Sequence, residues 1–198
     1  MKDYLSETEA VDYKDTGIQK LADQLEAISE DKTDYVKRAY EYVRDHISHS
    51  ADIGAMEVTC SASEVLRTGH GFCFAKSNLL AALLRAKGIP AGFCYQKLIL
   101  DDETAPYLTY HGLNGVYLEE LNRWIRLDAR GNKEGVRAAF STGREKLAFA
   151  VRKDHGEIDD FIIYPNPDAN VMKALQENTT REQLWDNLPD SLTYNKDI

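Results

Sequence analysis

The sequence predicts an α+β domain with helices packed on an antiparallel sheet. Its first half carries helical periodicity, an almost wholly apolar helix follows, and segments rich in aromatic and branched residues come after Pro90. In chain order, Ile18, Leu21, Ala22, Leu25 and Ile28 form one amphipathic stripe. Val36, Ala39, Tyr40, Val43 and Ile47 form a second, at i, i+3, i+4, i+7 and i+11. Ser61 and Glu64 stand at capping-box spacing, which starts a short helix over Ala62 to Leu66. Thr68-Gly69-His70-Gly71 interrupts it as a turn. Cys73 to Lys87 is then apolar around most of its circumference, as the buried central helix of a domain is, and Gly88 and Pro90 stop it.

Gly92 to Leu100, Tyr107 to Leu118 and Arg123 to Leu127 read as strands, with Glu119-Glu120-Leu121-Asn122 connecting the last two. A further strand is expected through Phe161-Ile162-Ile163-Tyr164, ended by Pro165. A last helix, carrying Leu184 and Trp185, is expected after a capping pair formed by Thr179 and Glu182. No repeat, low-complexity tract or Pro/Gly/Ser-rich linker divides the 198 residues. One domain is therefore expected, with N-terminal helices over 1–50, a core over about 51–132 and a C-terminal strand and helices over 133–198.

Composition narrows the function. Hydrophobic residues at 43% and charged residues at 29% give a globular balance. A net charge of −9 argues against non-specific nucleic-acid binding, because phosphates would meet no neutralising surface. No apolar run reaches membrane-spanning length, and the opening Met-Lys-Asp-Tyr-Leu-Ser lacks a signal-peptide apolar segment. A cytoplasmic protein with no membrane partner is expected. Cys60, Cys73 and Cys94 are odd in number and include no C-x-x-C pair, so neither a disulfide framework nor a zinc site is expected, and no cofactor. Each should be a free thiol, which leaves the question of whether one is reactive.

Cys73 stands where a turn becomes a buried helix. Unpaired N–H groups and the positive end of the helix dipole favour a thiolate there, and the same groups can hold an oxyanion. Position and residue type alone also fit a packed structural cysteine. Of the five histidines, His111 lies in a strand-like segment, and Asp128 ends the strand after the hairpin. A loop centred between Glu120 and Leu121 sets Leu113 opposite Asp128, so His111 becomes the diagonal neighbour of Asp128 on the same face. That arrangement either orients an imidazole for catalysis or is an ordinary polar pair at the base of a hairpin. His70, three residues before Cys73, reads as a surface or capping group, and Cys94 and Cys60 as structural.

In Gly71-Phe72-Cys73, the run Leu83-Leu84-Arg85-Ala86-Lys87-Gly88-Ile89-Pro90, His111 and Trp124-Ile125-Arg126-Leu127-Asp128, taken in that order, the chain resembles the transglutaminase-like superfamily, whose members adopt a papain-like fold. Tyr42-Val43-Arg44-Asp45-His46-Ile47 resembles the helix that precedes this core in bacterial members, and the resemblance runs from about Tyr35 to Arg130. It implies a catalytic triad of Cys73, His111 and Asp128 and, by analogy with the glutamine of papain-like enzymes, Gln96 as a hydrogen-bond donor to the oxyanion, although Gln96 follows the helix where the papain residue does not. The segments Cys73-Phe74-Ala75-Lys76-Ser77 and Ala91-Gly92-Phe93-Cys94-Tyr95-Gln96 are similar to those of a bacterial subgroup described as candidate cysteine proteases. Departures follow the histidine, where Gly112-Leu113-Asn114 replaces the usual aromatic, and the aspartate, where Ala129-Arg130-Gly131-Asn132 replaces a Pro or Thr pattern. They leave the substrate open rather than the chemistry.

The resemblance implies acyl transfer from a peptide, protein or small amide or ester to Cys73, with hydrolysis as the expected outcome. The alternatives are transfer to an amine as in transglutaminases, an acyltransferase of the arylamine N-acetyltransferase type, and a non-catalytic peptide-binding module of the same fold.

Overall fold

A computed structural model describes residues 1–194. Side-chain caps set where its helices begin. Asp15 accepts from Gly17 and Ile18 at the start of α1 (Thr16–Ala27), and Asp31 accepts from Asp34 at the start of α2 (Lys32–His46). A two-residue strand β1 (Ser48–His49) follows. Ser61 and Glu64 form the expected capping box on α3 (Ala62–Thr68), and β2 (His70–Gly71) pairs in parallel with β1. The apolar run becomes α4 (Cys73–Ala86), in which Leu79, Leu80, Leu83 and Leu84 have no exposed surface. α1, α2 and α3 pack against α4 on one side, and the sheet packs on the other.

That sheet runs in the order β5 (Arg123–Leu127), β4 (Ala105–Leu118), β3 (Ala91–Asp101), β6 (Ile158–Asp159), antiparallel throughout. α5 (Ala169–Glu177) and α6 (Arg181–Asp186) close the described chain. This is the expected α+β arrangement, with the buried helix laid on an antiparallel sheet. Asn114 pairs with Leu127 and Gly115 with Arg126, which is the register the hairpin centre requires. Among the described residues, no helix is long and apolar enough to cross a membrane.

Three local expectations are corrected. Phe161 to Tyr164 forms no strand: Phe161 takes a positive φ of 57°, and only Tyr164 bridges to Phe93. The strand beside β3 is instead Ile158–Asp159. The capping box of α6 is Thr180 with Gln183, one residue beyond the expected pair, because the Gln183 amide oxygen accepts from both Thr179 N and Thr180 N. Ile28 lies past the end of α1 and is exposed.

The segment around Ile163 crosses directly over the paired glycines Gly92 and Gly115. A Cβ on either would come within 2.7 Å or less of the Ile163 side chain, so only glycine admits it. Buried Arg85, from the end of α4, donates to the carbonyls of Ser6, Ala91 and Pro165. One guanidinium thus joins the N-terminal segment, β3 and the segment leading to α5.

Candidate active site

α4 begins at Cys73 with Phe72 as its N-cap residue and no side-chain cap, so its first N–H groups are left to other partners. β4 approaches this first turn closely at Gly112. A Cβ there would meet Phe74 Cδ1 at 2.6 Å, and its absence lets the Gly112 N–H donate to Cys73 Sγ at 3.5 Å. The aromatic missing after the histidine therefore has a steric reason, since Phe74 fills that space from the helix side.

The neighbouring residue, His111, is buried and its Nε2 lies 2.8 Å from Asp128 Oδ2. The Cys73 sulfur also favours the charged ring, and with Nε2 facing Asp128 the remaining nitrogen, Nδ1, is the one left for it. Asp128 is fully enclosed and also accepts from Ala148 N at 3.0 Å and Arg130 N at 3.1 Å. Burial disfavours the carboxylate, but His111 and these two amides outweigh it and hold Asp128 below the usual carboxylate range. Burial likewise works against an imidazolium at His111, yet the charge and hydrogen bond of Asp128, with the Cys73 sulfur, push its pKa up to about 10. Phe149 stands edge-on to the ring at 5.1 Å and limits its rotation. A thiol, an imidazole and a carboxylate brought together in this order can pass the sulfur's proton to the ring and hold the resulting cation.

A cavity of about 410 Å³ opens beside this row. Cys73 and His111 line it, with Phe72, Leu184, Trp185 and Leu188 on one wall and the β3 residues Leu98 to Asp101 on another. Phe72 and Trp185 pack together at 5.7 Å. The cavity's charged groups are already paired: Arg130 grips Asp52 with both terminal nitrogens, and Lys133 reaches the same carboxylate at 2.9 Å. Buried Lys76, one turn into α4, donates to the Ile47 carbonyl, and burial lowers its pKa to about 7.

The structure brings Cys73, His111 and Asp128 together and does not bring Gln96 to them. The Gln96 amide nitrogen donates to Asp159 at 2.9 Å, and the residue is not among those lining the cavity, so the oxyanion role expected of it has no geometric support. His70 is engaged with Ser50 Oγ at 3.0 Å, also away from the cavity. Burial raises the thiols of Cys60 and Cys94 far above the usual range, consistent with packing roles. Sequence reasoning missed His49, Asp52 and the cavity-facing Arg130. Their meeting depends on the β1–β2 pairing and on an ion pair between distant segments, which leave no periodic trace in the chain.

A family model described as the transglutaminase-like superfamily matches residues 19–129. No curated protein matches the chain. Among solved structures, a candidate cysteine protease from Cytophaga hutchinsonii aligns over 64% of this chain and 40% of its own, at 21% identity and a TM-score of 0.53. The periplasmic domain of TgpA from Pseudomonas aeruginosa aligns over 64% and 45%, at 19% identity and a TM-score of 0.47. The chain spans less than half the length of these structures, and at such identity the likeness is one of fold.

Proposed function

Because the chain belongs to the transglutaminase-like superfamily, we propose that it performs acyl transfer through a thioester on Cys73, with His111 as base and Asp128 orienting the histidine. The observation that carries this reading is the arrangement in which His111 bonds Asp128 at 2.8 Å and the next residue, Gly112, donates to Cys73 Sγ at 3.5 Å, with Cys73 and His111 lining one open cavity. His111 takes the thiol proton and the sulfur adds to the substrate carbonyl. The uncapped N–H groups at the start of α4 face the developing negative oxygen. Collapse expels an amine or alcohol, which takes its proton from His111.

Water is the acceptor we assign, making the protein a hydrolase of an amide or ester in a peptide, protein or small molecule. The two acidic residues lining the cavity, which would draw a cationic amine towards it, are both engaged. Asp52 is held by Arg130 and Lys133, and Asp101 accepts from Thr104 in its own turn. Three unpaired cysteines fit a reducing compartment such as the cytoplasm.

Iodoacetamide alkylation of each cysteine between pH 5 and 8, resolved by peptide mass spectrometry, tests the reading. Cys73 should label selectively below pH 7 and lose that advantage in His111→Ala. Cys73→Ala should abolish ester turnover with the fold intact. Asp128→Asn should lower kcat by roughly 10²- to 10⁴-fold through the wrong imidazole tautomer. A Cys73 no faster than Cys60 or Cys94 would remove the nucleophile, and wild-type rates in Asp128→Asn would remove Asp128 from the mechanism.

A further inference from the structure

His49 lines the same cavity as Cys73 and His111 and belongs to no part of the row described above. Its Nδ1 is buried without a hydrogen-bond partner. An enclosed nitrogen without a partner costs less as a bare lone pair than as an N–H, so it bears on where the ring carries its proton. The ring is nonetheless held firmly. It stands edge-on to Phe72 at 5.7 Å and 85°, and its backbone is opposite Gly71, two residues before the nucleophile. The buried Lys76 ammonium donates to the Ile47 carbonyl and so pins the chain entering β1 from beneath.

The charges around His49 fix its state. Burial disfavours the imidazolium, and Arg130, Lys76 and His111 reinforce that against the single opposing carboxylate of Asp52, which Arg130 and Lys133 already hold. The ring is therefore neutral and carries one proton. Placing the proton on Nε2 leaves only a lone pair at the enclosed Nδ1, whereas the other tautomer would bury an unpaired N–H. The Nε2–H edge is then the ring's polar contribution to the cavity.

We propose that His49 donates a hydrogen bond to the substrate carbonyl oxygen as Cys73 attacks, forming the side-chain half of the oxyanion site. The proposal rests on the acyl-transfer reading. As the sulfur lone pair forms the S–C bond, the carbonyl π pair moves onto oxygen, and that charge is met by the His49 N–H together with the N–H groups at the start of α4. When the pair returns, the bond to the leaving group breaks, and no proton leaves His49. A neutral imidazole suits this task, because it stabilises the oxyanion without surrendering its proton to it. Gln96, expected in this role from the sequence, spends its amide on Asp159.

Two reactions of Cys73 separate this role from a structural one. Acylation by p-nitrophenyl acetate passes through an oxyanion, and alkylation by iodoacetamide does not. His49→Phe keeps an aromatic ring against Phe72 and removes the donor. Its acylation should fall on the order of 10²- to 10³-fold, with alkylation within about threefold of wild type, and His49→Gln should recover part of the acylation rate. Acylation at the wild-type rate in His49→Phe, a parallel fall of both reactions, or no recovery in His49→Gln would each overturn the assignment. Wild-type protein inert to both reagents would instead remove the acyl-transfer reading, and the role of His49 with it.

Discussion

Burial acts on His49 and His111 alike, yet their pKa values move in opposite directions because only His111 has a carboxylate hydrogen-bonded to it. Folding stability should record the difference. His49 has its pKa pushed down to about 3, so the unfolded chain binds its proton first, and stability is lost as pH falls from about 6.5 towards that value. Asp128 adds to the same acid limb, since a depressed carboxylate contributes above about 3.9 and loses that contribution as pH falls through its folded value. On the alkaline side two effects oppose. The stabilisation from His111 is complete below about 6.5 and is lost as pH rises towards about 10. Lys76, lowered to about 7, works the other way, because the folded state has shed a proton the unfolded chain still holds. Urea midpoints should therefore drop steeply below pH 6, stay nearly level from 7 to about 8.5, and fall above that as the raised Cys60 and Cys94 thiols add their own alkaline loss. His49→Phe should flatten the acid limb, and Lys76→Met should expose the alkaline fall. An acid limb identical in His49→Phe would mean that His49 is not what titrates.

At the scale of elements, the site depends on how near β4 comes to the first turn of α4, and Gly112 sets that distance. Gly112→Ala should push Phe74 or the strand aside, at a cost of about 1–3 kcal/mol in urea denaturation. Cys73 alkylation should slow as His111 withdraws from the sulfur. Unchanged stability and labelling would show that Phe74 yields freely and that the close approach is not required. The hairpin half of the site is legible in the sequence. His111 lies on β4 and Asp128 directly follows β5, the two strands are joined by a short connection, and alternation fixes which residues share a face. α4 is legible for a different reason, as its run of leucines and alanines admits only a buried helix. Elements of two residues, such as β1, β2 and β6, are too short for any period, and His49 and the grip of Asp159 on Gln96 were hidden with them.

On the scale of the whole molecule, the irregular stretch between β5 and α5 is where sequence reasoning loses hold. It supplies Ala148 N to Asp128, Phe149 to His111 and Asp159 to Arg126, all through single contacts without repeat. The motif Leu83-Leu84-Arg85 does leave a readable trace, and Arg85 shows what it secures. Its guanidinium holds Ser6 and Pro165 together, while Tyr4 donates to the Ile163 carbonyl at 2.8 Å. Tyr164 exchanges two backbone hydrogen bonds with Phe93, both at 2.8 Å. In the language of local opening, the N-terminal segment and the strap over Gly92 and Gly115 form one cooperative unit, so neither end can fray alone. Native-state hydrogen exchange would display this as a shared opening free energy. Arg85→Met should speed exchange at the Tyr164 amide by roughly tenfold or more. Removing residues 1–6, far away in sequence, should loosen the same amide. Through that unit, events at the beginning of the chain reach the strand next to His111.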